Sequence, residues 1–191
     1  MSTTTTTLAY RIGAPNNQCR RPVIIGAEEE PRLLGYVSRW HRDWLAEDNN
    51  GQVHNVRRPA VGSKGQDKAA DWLANEFVNG RIQAVPLTDT VAEVPSPYGP
   101  APLLHPRMDE KRNRDSALAA IARVTEFHWT PLSGYPGSDN LWLLRCDLCG
   151  AVVMKHYSHL RGRNGNPPSA NRHPGCKSEA EVRQLIAAYQ Q

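Results

Sequence analysis

The sequence predicts an α+β protein in two parts, and three observations carry this prediction. Apolar residues recur at helical spacing in the N-terminal half, six prolines fall within 86–106, and two pairs of metal-ligand residues lie near the C-terminus. We therefore divide the 191 residues into a disordered tail (1–20), an N-terminal unit (21–85), a proline-rich linker (86–106) and a C-terminal domain (107–191). The linker is expected to be extended, because proline lacks an N–H and disfavours helix.

The N-terminal unit is predicted to be small and helix-rich, either helical or α/β, with a short β-type run at Val23-Ile24-Ile25. Pro31 follows an acidic triplet and suits the first turn of a helix, which we extend over 31–46. A second helix is predicted over Gln66 to Val78, where Asn79-Gly80 ends it, and a short strand over Arg81 to Val85. The apolar residues that define the first helix by their three- and four-residue spacing are Leu33, Leu34, Val37, Trp40, Trp44 and Leu45.

Three of the four cysteines fall in one constellation near the C-terminus. Cys146 and Cys149 are separated by two residues, and so are His173 and Cys176, with 23 residues between the pairs. Such pairs can close a tetrahedron around one Zn²⁺, and four protein ligands leave no open position, so we expect a single structural zinc ion. The N-terminal Thr run is not an apolar export signal, so the cysteines are expected to stay reduced, with Cys19 an ordinary thiol.

The elements around these pairs predict a treble-clef fold. Strands over Leu141 to Arg145 and Ala151 to Lys155 enclose the first pair, and a capping box, Ser178 to Glu181, starts a terminal helix after the second. A zinc ribbon would instead need a second tight turn between strands. Ahead of these elements a helix is predicted over Asp109 to Val124, with Leu118, Ile121 and Val124 facing inward.

The C-terminal half also resembles a treble-clef zinc-finger module of actinobacterial proteins and their phages, over residues 110–178. The motifs that carry the resemblance are Leu118-Ala-Ala-Ile121, Trp129-Thr-Pro-Leu132, Tyr135-Pro-Gly-Ser138, Trp142, Cys146-Asp-Leu-Cys149-Gly150, Tyr157, Leu160-Arg161 and Gly175-Cys176. Members usually close the site with a second CxxC that begins at the last Gly-Cys. Here Glu179 stands where its final cysteine would be, and His173 substitutes for it. The resemblance implies association with nucleic acid.

The charge distribution favours the same class of partner. Residues 1–105 carry 11 basic and 11 acidic side chains, whereas residues 106–191 carry 12 and 8, so the net charge of +4 lies in the C-terminal half. Such a local excess suits a polyanion. We predict DNA rather than RNA as the partner, with a regulatory role as one option. The predicted contacts are Lys155, His156, Tyr157, His159, Arg161, Arg163 and Arg172.

Two other functions stay open. Trp40 and Trp44, on the predicted first helix beside basic residues, could dock a host protein. An HNH-like nuclease would need a base and a second metal, but no acidic residue lies between Cys149 and Glu179, so we do not expect an enzyme. No run reaches the roughly 18 apolar residues that span a bilayer, which predicts a cytoplasmic protein, in the host cytoplasm if a phage encodes it.

Overall fold

The structure, a computed structural model, describes residues 8–60, 62–87 and 101–190. It divides into two units, one of Met1–Asn16 with Arg20–Val94 and the other of Asn17–Cys19 with Pro95–Gln191. Most of the predicted linker and the start of the predicted tail lie outside the described residues.

The first unit is an antiparallel sheet packed against one long helix. Its strands in the described residues are β1 (Arg11–Ile12), β2 (Arg21–Ile25), β3 (Arg32–Trp40), β4 (Asp43–Asp48), β5 (Val53–Arg57) and β6 (Val85–Pro86), and its helix is α1 (Gly65–Val78). Strands β1 to β5 are neighbours in chain order, while β6 pairs with the start of β3. Small buried residues on α1, among them Ala69, Ala70 and Ala74, let the helix lie close against β3 and β4.

The helix predicted over 31–46 is wrong, because this segment forms the β3–β4 hairpin. Trp40 pairs with Asp43 across a turn in which His41 has a φ of 52°, and the turn lacks the Gly or Asn that usually marks a hairpin. Leu33 and Leu34 are both buried, although adjacent strand residues face opposite sides of a sheet. Burial on both faces hides the period-two pattern of a strand and imitates helical spacing, which explains the wrong prediction. Because this segment is a hairpin, the first unit is mainly sheet and not helix-rich.

The structure confirms the second predicted helix of this unit and changes two other predictions. The second helix is present as α1, one residue longer at its start. The strand predicted over Arg81 to Val85 reduces to β6. The predicted disordered tail is corrected where the structure describes it, since β1 pairs with β2 through Arg11↔Ile24 and Ile12↔Val23. These pairings add an edge strand to the sheet.

The second unit contains three helices and a three-stranded antiparallel sheet in its described part. These elements are α2 (Arg114–Glu126), β7 (Trp129–Pro131), β8 (Leu141–Cys146), β9 (Val152–His156), α3 (Tyr157–Leu160) and α4 (Glu179–Leu185). The sheet order is β7-β8-β9, so β8 is central. Strands β8 and β9 and helix α4 confirm the predicted elements around the metal-ligand pairs.

Helix α2 begins at Arg114, after two short 3₁₀ turns, and not at Asp109. Its inward face is formed by Ala117, Ala120 and Val124, whereas Leu118 is 57% exposed, so the prediction that Leu118 faces inward is wrong. The described end of the predicted linker is also ordered: His105 N–H donates to the Tyr135 carbonyl at 3.1 Å. None of the helices in the described residues combines the length and the hydrophobicity that a bilayer crossing requires.

Candidate metal centre

The first pair of candidate ligands lies on a tight turn at the end of β8. The amides of Cys149 and Gly150 both donate to the Cys146 carbonyl, at 3.3 and 2.7 Å, while Cys146 N–H donates to the Ala151 carbonyl at 2.8 Å. Gly150 has a φ of 78°, a conformation that a residue with a Cβ adopts only with strain. This closed turn brings the Cys149 thiol back beside that of Cys146.

The second pair lies on a turn just before α4. Cys176 N–H donates to the His173 carbonyl at 3.2 Å, which turns both side chains in the same direction. Two residues later Ser178 caps α4, and its side chain and that of Glu181 form the predicted capping box. The helix start therefore anchors the chain that leaves the second pair.

The two turns bring all four predicted ligands together. One ligand atom from each of Cys146, Cys149, His173 and Cys176 lies within 4.8 Å of the others. The Sγ of Cys176 lies 3.8 Å from that of Cys146 and 4.0 Å from that of Cys149, and the Nε2 of His173 lies 3.1 Å from the Cys149 Sγ. Ligands around tetrahedral Zn²⁺ are about 3.5–3.8 Å apart, given metal–ligand distances of about 2.0–2.3 Å. The spacing therefore fits an ion of this size.

The imidazole of His173 is held by a hydrogen bond from its other nitrogen. Its Nδ1 lies 2.9 Å from the carbonyl oxygen of Pro174, which can only accept, so Nδ1 carries the proton. Nε2 then presents a lone pair toward the three sulfurs. A carbonyl that fixes the tautomer in this way is a common support of metal-binding histidines.

A buried arginine supports the cluster from the side of the protein core. Arg172 is 1% exposed, and its Nε donates to the Cys146 Sγ at 2.9 Å. Its two terminal nitrogens donate to the carbonyls of Phe127 and His128, at 2.9 and 2.5 Å, and its guanidinium lies 3.9 Å from the centre of the Trp129 ring. Three thiolates, a neutral imidazole and a bound divalent ion would together carry a net charge of −1, which this buried cation would neutralise.

The same contacts set the ionisation of the thiols. Burial disfavours the Cys146 thiolate, but hydrogen bonding, chiefly from Arg172, outweighs burial and lowers the pKa of Cys146 to about 6. Burial raises the pKa of Cys176. The cluster thus contains one thiol that is already prone to ionise near neutral pH, as metal binding requires.

The predicted nucleic-acid contacts divide into enclosed and exposed residues. The prediction for Arg172 is wrong, because its guanidinium is enclosed and its donors are used within the unit. Lys155 is half-buried and donates to the Asn171 carbonyl at 3.3 Å, and burial lowers its pKa. The Tyr157 ring packs edge-on against Tyr135 and Trp142. These three side chains help to build the unit.

The exposed residues cluster around α3. His159, Arg161 and Arg163 are exposed, while His156 is partly buried with its ring 5.4 Å from that of His159. Arg161 lies 5.8 Å from the Tyr157 ring, and Arg163 forms an ion pair of 3.5 Å with Asp139. The cationic surface of this segment is therefore smaller than the sequence predicts.

The role of Arg172 could not be predicted from the sequence, since an arginine beside a metal ligand fits a polyanion contact equally well. Comparison with other proteins adds nothing to the assignment: no family model, curated protein or solved structure matches the chain. Within the described residues, the cluster of three cysteines and one histidine is a group that could hold a metal ion.

Proposed function

We propose that the second unit is a treble-clef zinc-binding domain and that the protein binds nucleic acid. The convergence of Cys146, Cys149, His173 and Cys176 on one point supports the zinc site. The order of the elements supports the treble clef: a turn between two strands supplies the first pair, and a turn before the last α-helix supplies the second. The resemblance to modules of actinobacterial and phage proteins agrees with this arrangement.

Zinc suits these ligands better than other common metals. Thiolates and imidazole are soft or borderline ligands, which favour Zn²⁺ over Mg²⁺ or Ca²⁺. When bound, the ion would join the two turns, and four protein ligands would leave no position for a substrate. The role is therefore structural, and the unit should depend on the ion for its stability.

Native mass spectrometry of the full chain tests the site. We expect one zinc ion per chain and its loss in the Cys176→Ser variant. Cys19→Ser is the matched control, because Cys19 lies outside the cluster, and this variant should keep the ion. A wild-type chain that carries no metal after purification with zinc would refute the proposal, as would a Cys176→Ser variant that binds zinc as tightly as the wild type.

The exposed cations around α3 support the nucleic-acid proposal. Arg161 and Arg163 flank Gly162, whose φ of 82° and close approach to the Asn166 carbonyl leave no room for a Cβ. Asn166 N–H also donates to the Arg163 carbonyl at 2.9 Å. The turn is thus fixed, and it presents two guanidinium groups that can pair with phosphates.

A gel-shift titration of the full chain against duplex and single strands tests this proposal. We expect the double variant Arg161→Ala/Arg163→Ala to bind more weakly and with a smaller salt dependence. Each phosphate contact that is lost means that fewer counterions are released on binding. Arg112→Ala with Lys111→Ala is the control, because both lie on an exposed 3₁₀ turn of the same unit. Equal binding by both double variants would remove the α3 surface from the proposal. The nuclease hypothesis is tested separately, by incubation with plasmid and Mg²⁺ or Mn²⁺.

A further inference from the structure

One end of the sheet in the first unit carries a row of two arginines with a tryptophan between them. Arg39 on β3 lies opposite Trp44 on β4, and Trp44 lies opposite Arg57 on β5. Directly opposed residues of antiparallel strands project from the same face, so these three side chains are neighbours. The start of α1 adjoins them, because a Cβ on Gly65 would collide with the Trp44 indole.

A β-bulge creates this row. Beyond Asn55 the register of β5 against β4 shifts by one residue. Without the shift, Val56 would lie opposite Trp44. Arg57 would then lie opposite Asp43, close enough to form an ion pair. Instead Val56 enters the core, Arg57 lies beside Trp44, and the Asp43 carboxylate accepts a hydrogen bond from Asn55 at 2.9 Å. Bulges commonly redirect a side chain in this way. The chain thus separates Arg57 from the nearest carboxylate of the adjacent strand.

The backbone of Arg57 supports the same interpretation. Its φ of 62° is a left-handed conformation that is strained for a residue with a Cβ. The Arg57 N–H donates to the Asn55 side chain at 2.7 Å, which holds the strained conformation in place. Strain of this kind is retained where the direction of a side chain matters.

Three more cations surround the row. Arg42 lies in the β3–β4 turn, Arg58 follows Arg57, and Lys64 occupies the position just before α1; all three are exposed. We call the five cations Arg39, Arg42, Arg57, Arg58 and Lys64 the basic end. Within the described part of the chain none of the five forms an ion pair.

The first unit separates part of its charge along β3, although Asp43 at the start of β4 and Asp67 in the first turn of α1 lie at the same end as the basic end. The exposed triplet Glu28, Glu29 and Glu30 precedes the start of β3, whereas the basic end lies where β3 finishes. Nine strand residues separate the two ends by about 30 Å. Because charges separated by more than about 10 Å are screened at 0.1 M salt, the acidic triplet does not neutralise the basic end.

We propose that the basic end is a second nucleic-acid contact surface, which binds the phosphate backbone. This inference rests on the proposed nucleic-acid function and extends it to the first unit. Arginine forks pair bidentately with phosphate oxygens, and two arginines held on β3 and β5, on either side of Trp44 on β4, are spaced for separate phosphates. Trp40 and Trp44 are partly buried, and the mostly exposed large apolar residues of this unit lie away from the basic end, Val53 at the start of β5 and Val78 at the end of α1. The exposed part of the basic end is therefore mainly cationic, which suits phosphate groups.

Fluorescence anisotropy with the full chain tests the proposal, with a labelled 20-base-pair DNA and its single strand at several salt concentrations. We expect Arg39→Gln/Arg57→Gln to make the negative slope of log affinity against log salt shallower by about 1.8 on duplex DNA. This change corresponds to an affinity about 60-fold weaker at 0.1 M salt. The control is Arg11→Gln/Lys111→Gln, which removes the same charge from exposed positions outside the basic end. Because Arg57 has a strained backbone, Arg42→Gln/Arg58→Gln serves as a second test that leaves the row intact.

The outcomes separate this inference from the proposed function. If both basic-end variants bind like the control while Arg161→Ala/Arg163→Ala binds weakly, the basic end is not a contact and the nucleic-acid function stands. If the wild type fails to bind either DNA at 50 mM salt, both proposals fail. Polyglutamate that binds the wild type as tightly as DNA would show a surface for acidic chains, and it would overturn the assignment to nucleic acid.

Discussion

Replacement of Arg172 by methionine is the sharpest test of how the metal site is built into the second unit. Methionine keeps most of the aliphatic stem but removes the charge and all three hydrogen bonds. The carbonyl of His128 would keep its second donor, the Asp147 amide at 3.1 Å, whereas that of Phe127 would be left buried without this partner. The variant therefore removes support from the core and from the Cys146 sulfur at once.

The expected loss in the free energy of unfolding follows from these contacts. An orphaned buried carbonyl costs about 1–3 kcal/mol, and a desolvated cation–π contact such as that with Trp129 contributes about 2 kcal/mol. With the lost charge-assisted bond to Cys146, we expect Arg172→Met to destabilise the unit by about 3–5 kcal/mol, as when one partner of a buried ion pair is removed. Zinc affinity should also fall, because the site would keep its net charge of −1 in a buried setting.

Hydrogen exchange of peptides from residues 127–146 reports on this unit alone, and competition with a coloured chelator gives the zinc affinity. Arg163→Met is the matched control: its guanidinium is 46% exposed and pairs with an exposed carboxylate, so its loss should cost less than about 1 kcal/mol. An Arg172→Met variant as stable as this control, with unchanged zinc affinity, would refute the reasoning.

Three further predictions concern single contacts. Ser178→Ala removes the side-chain oxygen that accepts the Glu181 amide hydrogen at 3.4 Å, and should destabilise the unit by about 1 kcal/mol in a urea titration. Hydrogen bonds from Ser178 lower the pKa of Glu181, so the ionised carboxylate stabilises α4 at pH values above 4.5, the usual pKa of a glutamate. This stabilisation is lost as the pH falls through the pKa of Glu181 in the folded state. Glu181→Gln should remove this pH dependence from an acid titration followed by circular dichroism. Gly65→Ala should cost about 1–3 kcal/mol by collision with Trp44, and the cost should shrink in a Trp44→Phe background; an equal cost in both would place the strain elsewhere.

The second unit was largely predictable because its signals are local. Two-residue ligand spacing, a glycine after the second cysteine and a capping box each specify structure within a few residues, and all three are present. What could not be predicted is set by long-range packing. Helix α2 turns alanines inward and leaves Leu118 exposed, since only small side chains fit where it packs, and Arg172 is buried by contacts 26 to 45 residues away in sequence.

The first unit shows the opposite case. Its hairpin has no Gly or Asn at the turn, and His41 takes up the left-handed conformation instead. Apolar residues at positions 33, 34, 37, 40, 44 and 45 satisfy helical spacing as well as a strand buried on both faces, so periodicity alone could not decide. The basic end was missed for a related reason. A net charge of zero over 1–105 gives no indication that five cations gather where β3 ends.

The metal site and the core of the second unit are physically one structure. Cys146 is fully buried and belongs to the hydrophobic core, and Arg172 connects its sulfur to the Phe127 carbonyl. The Phe127 ring in turn stacks on Tyr189, 4.4 Å between centres, near the end of the chain. Arg172 and Phe127 thus connect the Cys146 sulfur to the 3₁₀ turn Ala187–Tyr189 that follows α4. Because a buried cation needs a buried anion, the arginine stabilises the unit best when the thiol is ionised, which is the state that metal binding maintains.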